Sequence, residues 1–211
     1  MPNRAFGRKG YLMVAMEPPP ALEEEFNEWY DCEHVPERLR VTGFESAQRF
    51  ICVSGWPRYL AFYDLESSRV MSSPGYRAIS GDRFSPWTKR MLARAQGFYR
   101  SYGAQFWREF DPRASVATSQ LVRLRHVDRN DVLKLRRFVQ SDARGTEGVL
   151  RLRLLGDEAA RDGTQLLLAD LHAGGTLRLD ALAGLERRID MVNVYRLKSR
   201  LHRRSYHLIN D

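Results

Sequence analysis

The chain of 211 residues is long enough for one large domain or two small ones. Its 43% hydrophobic and 11% aromatic residues can bury a sizeable core, which excludes wholesale disorder. A net charge of +8 raises the question of nucleic acid, but no recognition helix, RNA-binding signature or zinc finger accompanies it, so we do not expect a nucleic-acid partner.

The N-terminal residues lack the apolar run of a signal peptide, and no stretch approaches the roughly 20 apolar residues of a membrane helix. We therefore expect a cytoplasmic protein with no membrane partner. Cys32 and Cys52 lie far apart in sequence and match no metal-binding spacing, which suits a reducing cytoplasm, although a disulfide between them stays open. We expect neither a metal nor a cofactor.

The first elements are a strand and a helix. Residues 11–16 are apolar on both parities, which predicts a strand that is covered on both faces. Leu22, Phe26 and Trp29 then follow at helical spacing and form one apolar stripe. Pro36 cannot donate a helical hydrogen bond, so we expect the helix to end or kink around residues 32–35.

The rest of the first half continues with strands and short helices. Residues 44–53 and 59–65 predict a hairpin around the turn at Gly55. A short helix over 67–79, a second helix from Pro86 and a long aromatic strand over 97–110 follow. Strand, helix, strand, strand, helix, strand is the order of a ferredoxin-like unit.

The second half shows the same order, which predicts an internal duplication. We therefore expect an α+β fold of two ferredoxin-like β-α-β-β-α-β units whose antiparallel sheets pack face to face as an α/β-barrel, within one chain or in a homodimer. Residues 1–113 form the first predicted domain, 114–200 the second, and 201–211 a basic tail. In the second half, strands are predicted over 118–127, 148–155, 164–172 and 189–197, with helices after Asp128 and over 177–188.

One motif of the first half resembles the EthD-like branch of the dimeric α/β-barrel superfamily. The pattern is W-Y-x-x-E-H-x-P, followed by Gly43-Phe44 and a strand, and it reads Trp29-Tyr30-Asp31-Cys32-Glu33-His34-Val35-Pro36. The second half has no such motif, since the equivalent stretch is 139–144. The resemblance implies a fused barrel with one site, acting without a cofactor on a small aromatic or polyketide-like carbonyl compound, as a cyclase, isomerase or monooxygenase.

His34 is the candidate general base of that site. Asp31, Glu33 or Glu37 is near enough in sequence to hold its imidazole, and Tyr30 lies one helical turn before it. A histidine held in this way can take a proton from a carbon next to a carbonyl. Tyr30 or Arg38 would steady the oxyanion that forms, and Phe62 and Tyr63 are candidates for lining a substrate cavity.

Three alternatives stay open. His34 can simply cap the helix, and Trp29, Phe62 and Tyr63 can be core residues. The chain can be a ligand-binding or assembly module without chemistry. It can also bind haem through His126 or His172, although no haem signature lies nearby.

Overall fold

The structure is a computed structural model that describes residues 6–109, 115–140, 148–182 and 184–203. All pairings between its eight strands are antiparallel. In chain order, the strands are β1 (Phe6–Glu17), β2 (Phe44–Ser54), β3 (Tyr59–Leu65), β4 (Gln96–Glu109), β5 (Thr118–Leu124), β6 (Val149–Gly156), β7 (Gln165–Leu171) and β8 (Ile189–His202).

The eight strands close into one barrel in the order β1-β3-β2-β8-β5-β7-β6-β4. The expected fold of two ferredoxin-like units with sheets packed face to face is therefore wrong, and so is the ferredoxin-like tandem repeat. β2 pairs with β8, and β4 pairs with β6, so backbone hydrogen bonds join the first four strands to the last four in a single sheet. Closure removes the exposed strand edges that two separate sheets would have.

Helices cover only part of the outside of the barrel. The predicted helix over 177–188 is wrong, because two 3-10 turns, Leu179–Leu182 and Glu186–Arg188, stand in its place. None of the helices in the described ranges is long and apolar enough to cross a membrane. The helices are α1 (Glu23–Trp29), α2 (Val35–Arg40), α3 (Pro74–Arg77), α4 (Pro86–Leu92) and α5 (Arg129–Gln140).

A π turn over Tyr30–His34 joins α1 to α2 without a break. The amide of Val35 donates to the carbonyl of Tyr30, five residues back, and the backbone stays helical. A proline ring collides with the carbonyl four residues before it in an α-helix, and the wider π turn leaves room for Pro36. The helix therefore passes through the point where we expected its end or kink.

The strands bury side chains on both faces, and the buried apolar residues form three clusters, one inside the barrel and two on its outer face. Leu60 and Phe62 of β3 point into the barrel lumen, where one apolar cluster collects residues from seven strands. Tyr59, Ala61 and Tyr63 alternate with them and pack on the outer face under the helices. The prediction that residues 11–16 are covered on both faces is confirmed, since all six are buried.

The chain ends differ from the expected boundaries. β8 continues to His202, so it includes the first two residues of the segment that we expected to be a tail. The remainder of that segment, from residue 204, lies outside the described residues. The division of the chain at residues 113 and 114 stays a prediction.

Candidate functional site

A cluster of buried polar side chains lies between the α1–α2 helix and the outer face of the barrel. We call it the helix-side cluster. The helix supplies side chains at three positions one turn apart, because residues 30, 34 and 38 share one helix face. The adjacent strands β2 and β3 supply two further side chains. The five members are Tyr30, His34, Arg38, Arg49 of β2 and Tyr63 of β3.

His34 lies on the inward face of the π turn, with 8% of its surface exposed. Its ring centroid is 4.4 Å from that of Trp29 and 5.2 Å from that of Tyr30. Its Nδ1 atom is buried and has no hydrogen-bond partner among the residues that the structure describes. Burial lowers the pKa of His34 well below its ordinary value, and the positive charges of Arg38 and Arg49 lower it further. The imidazole is therefore neutral at pH 7.

The two arginines of the cluster are buried, yet their partner carboxylates lie nearer the surface. Arg49 donates to Asp31 at 2.6 Å and to the side chain of Asn27 at 2.7 Å, and its guanidinium carbon is 4.4 Å from the Tyr30 ring centroid. Arg38 pairs with Glu37 at 2.7 Å. Both arginine side chains are 3% exposed, whereas those of Asp31 and Glu37 are 47% and 23% exposed. The carboxylates are better screened by solvent than the guanidinium groups, so a positive field remains at the buried end of the cluster.

The two tyrosines keep their protons at neutral pH. Burial raises the pKa of Tyr30 to about 12, against the opposing effect of Arg49 and Arg38. Burial also raises the pKa of Tyr63, although the same two arginines act in the opposite direction. The Tyr63 hydroxyl is buried and lacks a hydrogen-bond partner within the described ranges. The Tyr63 hydroxyl can therefore donate a hydrogen bond to an additional acceptor, such as an atom of a bound ligand.

Asp31 and Glu33 lie close to His34 in sequence but contact other residues. Asp31 is exposed and pairs with Arg49 and, at 3.4 Å, with Lys198 of β8. Glu33 accepts from the hydroxyls of Ser85 and Thr88 at the start of α4, at 2.5 and 3.3 Å. Neither carboxylate is hydrogen-bonded to the imidazole.

Phe62 and Tyr63 lie on opposite faces of β3. Tyr63 belongs to the helix-side cluster, while Phe62 packs in the lumen, where its ring stacks on Tyr11 with centroids 5.8 Å apart. Period-2 alternation dictates this division, so two neighbouring residues of one strand could not line the same cavity. Four of the candidate residues, Tyr30, His34, Arg38 and Tyr63, therefore lie together in the helix-side cluster, whereas Phe62 lies in the lumen.

Arg49 is the member that we did not identify from the sequence. It shares its parity in β2 with Ala47 and Ile51, so it is a charge on an otherwise apolar face. A charged residue at such a position is rarely buried unless it is paired, and this signal was available in the sequence.

The histidines considered for haem do not converge. His126 follows β5 and His172 follows β7, and both are exposed. Thr118 pairs with Leu171 and Leu124 with Gln165, so the two histidines lie at opposite ends of this strand pair. No group of three or more histidine, cysteine or acidic residues in the described ranges is arranged to hold a metal ion.

The barrel is similar to those of several solved structures. An anthrone oxidase-like protein aligns with a TM-score of 0.63 at 9% identity, over 96% of this chain and 94% of that one. A candidate monooxygenase from Fusobacterium nucleatum aligns with a TM-score of 0.56 at 12% identity, over 92% and 94%. A candidate monooxygenase from Lactobacillus acidophilus aligns with a TM-score of 0.54 at 6% identity, over 92% of this chain and 97% of that one.

These likenesses show a shared fold. At such low identity they do not transfer an activity to this chain. No protein-family model matches the sequence, and a search of curated protein sequences found no match. The resemblance to the EthD-like branch stays a prediction that rests on the motif around His34.

Proposed function

We propose that the protein is a small-molecule enzyme that removes a proton from a carbon made acidic by a carbonyl group, with His34 as the general base. One observation carries this proposal. Two buried polar atoms of the helix-side cluster, Nδ1 of His34 and the hydroxyl oxygen of Tyr63, lack a partner among the described residues. Each such atom costs about 1–3 kcal/mol of stability, a cost that a bound substrate would remove.

The proposed step moves one proton and one electron pair. The C–H bond of the substrate breaks, its proton passes to Nδ1 of His34, and its electron pair moves onto the carbonyl oxygen to form an enolate. The Tyr63 hydroxyl donates a hydrogen bond to that oxygen, since the raised pKa keeps its proton in place. Proton removal transfers no electrons to another molecule, so this step needs no redox partner.

The arginines explain how a histidine with a lowered pKa could act as a base. In the free protein, Arg38 and Arg49 disfavour the imidazolium. The reaction creates an enolate beside the same charges, and the enolate is attracted to the arginines and to the protonated ring. The field that weakens the free base therefore stabilises the transition state, in which negative charge develops on the substrate.

An aromatic carbonyl compound suits the walls of the cluster. Aromatic rings surround the polar atoms on several sides, and flat substrates pack well against such rings. Anthrone, which the name of one structurally similar protein contains, has a methylene group made acidic by a carbonyl. The rings that contact polar members include Phe26, Trp29, Phe44, Tyr76 and Phe84.

Substrate access requires movement of the segment between β3 and β4. His34 does not line the cavities of about 690 and 210 Å³ at the barrel mouth. Two short helices pack against the α1–α2 helix. Ser85, the N-cap of the seven-residue α4, contacts Glu33 of the π turn, and Tyr76 of the four-residue α3 contacts Arg38 of α2. Such short elements have few internal hydrogen bonds to break, so displacing them costs mainly the packing of Val70, Tyr76 and Met91.

Exchange of anthrone hydrogens tests the proposal directly. In deuterated buffer, NMR would follow loss of the methylene proton signal, which reports proton removal whatever reaction follows. We expect the wild type to accelerate exchange and His34→Gln to reduce the acceleration by about a hundredfold or more. His172→Gln, a change at an exposed histidine, is the matched control and should exchange at the wild-type rate.

Two results would contradict the enzyme proposal. The first is full exchange activity in a folded His34→Gln protein. The second is saturable anthrone binding with exchange at the rate of buffer alone, which would make the protein a binding module. Circular dichroism of both variants shows whether loss of activity reflects loss of structure.

A further inference from the structure

A second polar region lies inside the barrel, on the other side of the sheet from His34. One end of the lumen carries aspartates from β3 and β7 and arginines from β6, which we call the lumen cluster: Asp64, Asp170, Arg151 and Arg153. A cavity of about 210 Å³ opens beside it, lined by Asp64 and both arginines. Lys9 and Glu45 line this cavity and also the adjoining cavity of about 690 Å³ at the barrel mouth.

The two arginines share a single carboxylate. Arg151 Nε and Arg153 Nη2 both donate to Oδ2 of Asp170, at 3.0 and 3.1 Å. Arg153 is 2% exposed, and its Nη1 atom has no hydrogen-bond partner among the described residues. A buried guanidinium donor without a partner is costly, since a charged group loses more than a neutral one when it leaves water.

The other aspartate does not fill this gap. Asp64 accepts hydrogen bonds from Ser46 at 2.7 Å, from Gln105 at 2.9 Å and from Gln48 at 3.3 Å, all neutral donors. Its two oxygens are therefore already occupied, while a donor of Arg153 is not. The cavity lacks an acceptor rather than a donor.

We propose that the lumen cavity binds a small organic carboxylate, one oxygen of which accepts a hydrogen bond from Nη1 of Arg153. A charge-assisted hydrogen bond of this kind is about twice as strong as a neutral one. A single negative charge fits best, because Asp64 and Glu45 also line the cavity and would repel a dianion such as phosphate. Lys9 at the mouth, 41% exposed, pairs with Glu45, which leaves Asp64 as the carboxylate that most opposes a second negative charge.

This site is separate from the helix-side cluster. The Arg153 guanidinium carbon lies 4.9 Å from the ring centroid of Phe62, whose neighbour Tyr63 points to the opposite face of the sheet. The aromatic walls near His34 favour flat aromatic ligands, so a small aliphatic ligand can test the lumen cavity separately. Success or failure here leaves the exchange experiment unaffected.

Titration calorimetry with butyrate and its neutral isostere butyramide tests the proposal on the full chain. We expect butyrate to bind to the wild type with one equivalent and butyramide to bind at least about tenfold more weakly. Arg153→Met should weaken butyrate binding at least about tenfold. Arg58→Met is the control: it removes an exposed arginine that pairs with Glu23, and it should bind butyrate as the wild type does.

Arg153→Lys keeps the proposal testable if the methionine variant does not fold. It retains a positive charge beside Asp170 but loses the forked geometry that places Nη1, so butyrate binding should weaken several-fold. Absence of butyrate binding to the wild type would overturn the proposal. So would equal affinity for butyrate and butyramide, or unchanged butyrate affinity in a folded Arg153 variant.

Discussion

The helix-side cluster and the lumen cluster use the same residue types in different ways. In the lumen, Arg151 and Arg153 lie directly on the buried carboxylate of Asp170. Under the helix, Arg38 and Arg49 are as buried as Arg153, but their carboxylates, Glu37 and Asp31, are partly exposed. A buried carboxylate fixes the arginines that lie beside it, whereas arginines with solvent-screened partners leave a field that acts on a neighbouring histidine.

The largest expected effect lies in the lumen. Asp170→Ala leaves Arg151 and Arg153 without their shared carboxylate, and breaking a buried ion pair in this way costs about 3–5 kcal/mol. Urea unfolding measures it as a fall in the free energy of unfolding. A loss below about 1 kcal/mol would show that the lumen charges are hydrated, and the contrast between the two clusters would disappear.

The pH dependence of stability should carry a contribution from His34. Its pKa in the folded state lies below the value of about 6.5 in an unfolded chain, so below pH 6.5 the unfolded chain binds a proton that the folded chain does not. Stability therefore falls as pH decreases through this window, by up to about 1.4 kcal/mol per pH unit. Urea unfolding between pH 7 and 5 should show a shallower slope for His34→Gln, and equal slopes would contradict the account.

The aspartates of the lumen act at lower pH. Burial alone would raise the pKa values of Asp64 and Asp170, but the positive charge of Arg153 and hydrogen bonds to each carboxylate hold both below the ordinary value. Their stabilisation is present above about pH 4 and is lost as pH falls through their folded-state pKa values. The two clusters thus change the free energy of unfolding in different pH ranges, so one set of unfolding curves measured against pH tests both.

Two tyrosines, Tyr11 in the lumen and Tyr63 in the helix-side cluster, should differ in how much their hydroxyl groups stabilise the fold. The hydroxyl of Tyr11 lies 2.6 Å from that of Ser101 in the lumen, so Tyr11→Phe should cost about 1 kcal/mol. Tyr63→Phe removes a hydroxyl without a described partner, so stability should stay unchanged or rise. Anthrone exchange should nevertheless fall by about a hundredfold in Tyr63→Phe. If Tyr63→Phe destabilised the fold as much as Tyr11→Phe, the hydroxyl would be structural.

The smallest expected change in stability comes from the exposed partner of Arg49. Asp31→Asn removes ion pairs to Arg49 and Lys198 from a side chain that is 47% exposed, so the free energy of unfolding should change by less than about 1 kcal/mol. The positive field at His34 should strengthen, which lowers the pKa of the imidazole further. A rise in that pKa on histidine NMR titration would contradict the assigned direction.

Local patterns predicted the elements better than their assembly. The apolar stripe of Phe26 and Trp29, the hairpin of β2 and β3 and the doubly covered β1 follow from periodicity, and the structure contains each of them. Barrel closure depends on pairings such as Ala47 with Leu201, which are far apart in sequence and leave no periodic signal. The packing of two sheets satisfies the same burial pattern as one closed sheet, so the pattern could not decide between them.

The site was predictable where it lies within one helix. Tyr30, His34 and Arg38 share a helix face by spacing alone, and the motif drew attention to them. The ion pair of Asp31 with Arg49 joins separate elements and was invisible to spacing. The helix continues through Pro36 because a π turn precedes it. The rule that proline ends or kinks a helix assumes α-helical hydrogen bonds, so the sequence did not indicate this continuation.

Histidine NMR with a bound anion tests the central claim most directly. 2,4-Dinitrophenolate, which stays ionised at pH 6, can stand in for the enolate at the helix-side cluster, and the ring signals of His34 report protonation of the imidazole. We expect a neutral imidazole at pH 6 in the free protein and a pKa of His34 that rises when the anion binds beside it. An ordinary pKa near 6.5 in the free protein, unchanged by a bound anion, would contradict the claim that His34 is a base held in a positive field.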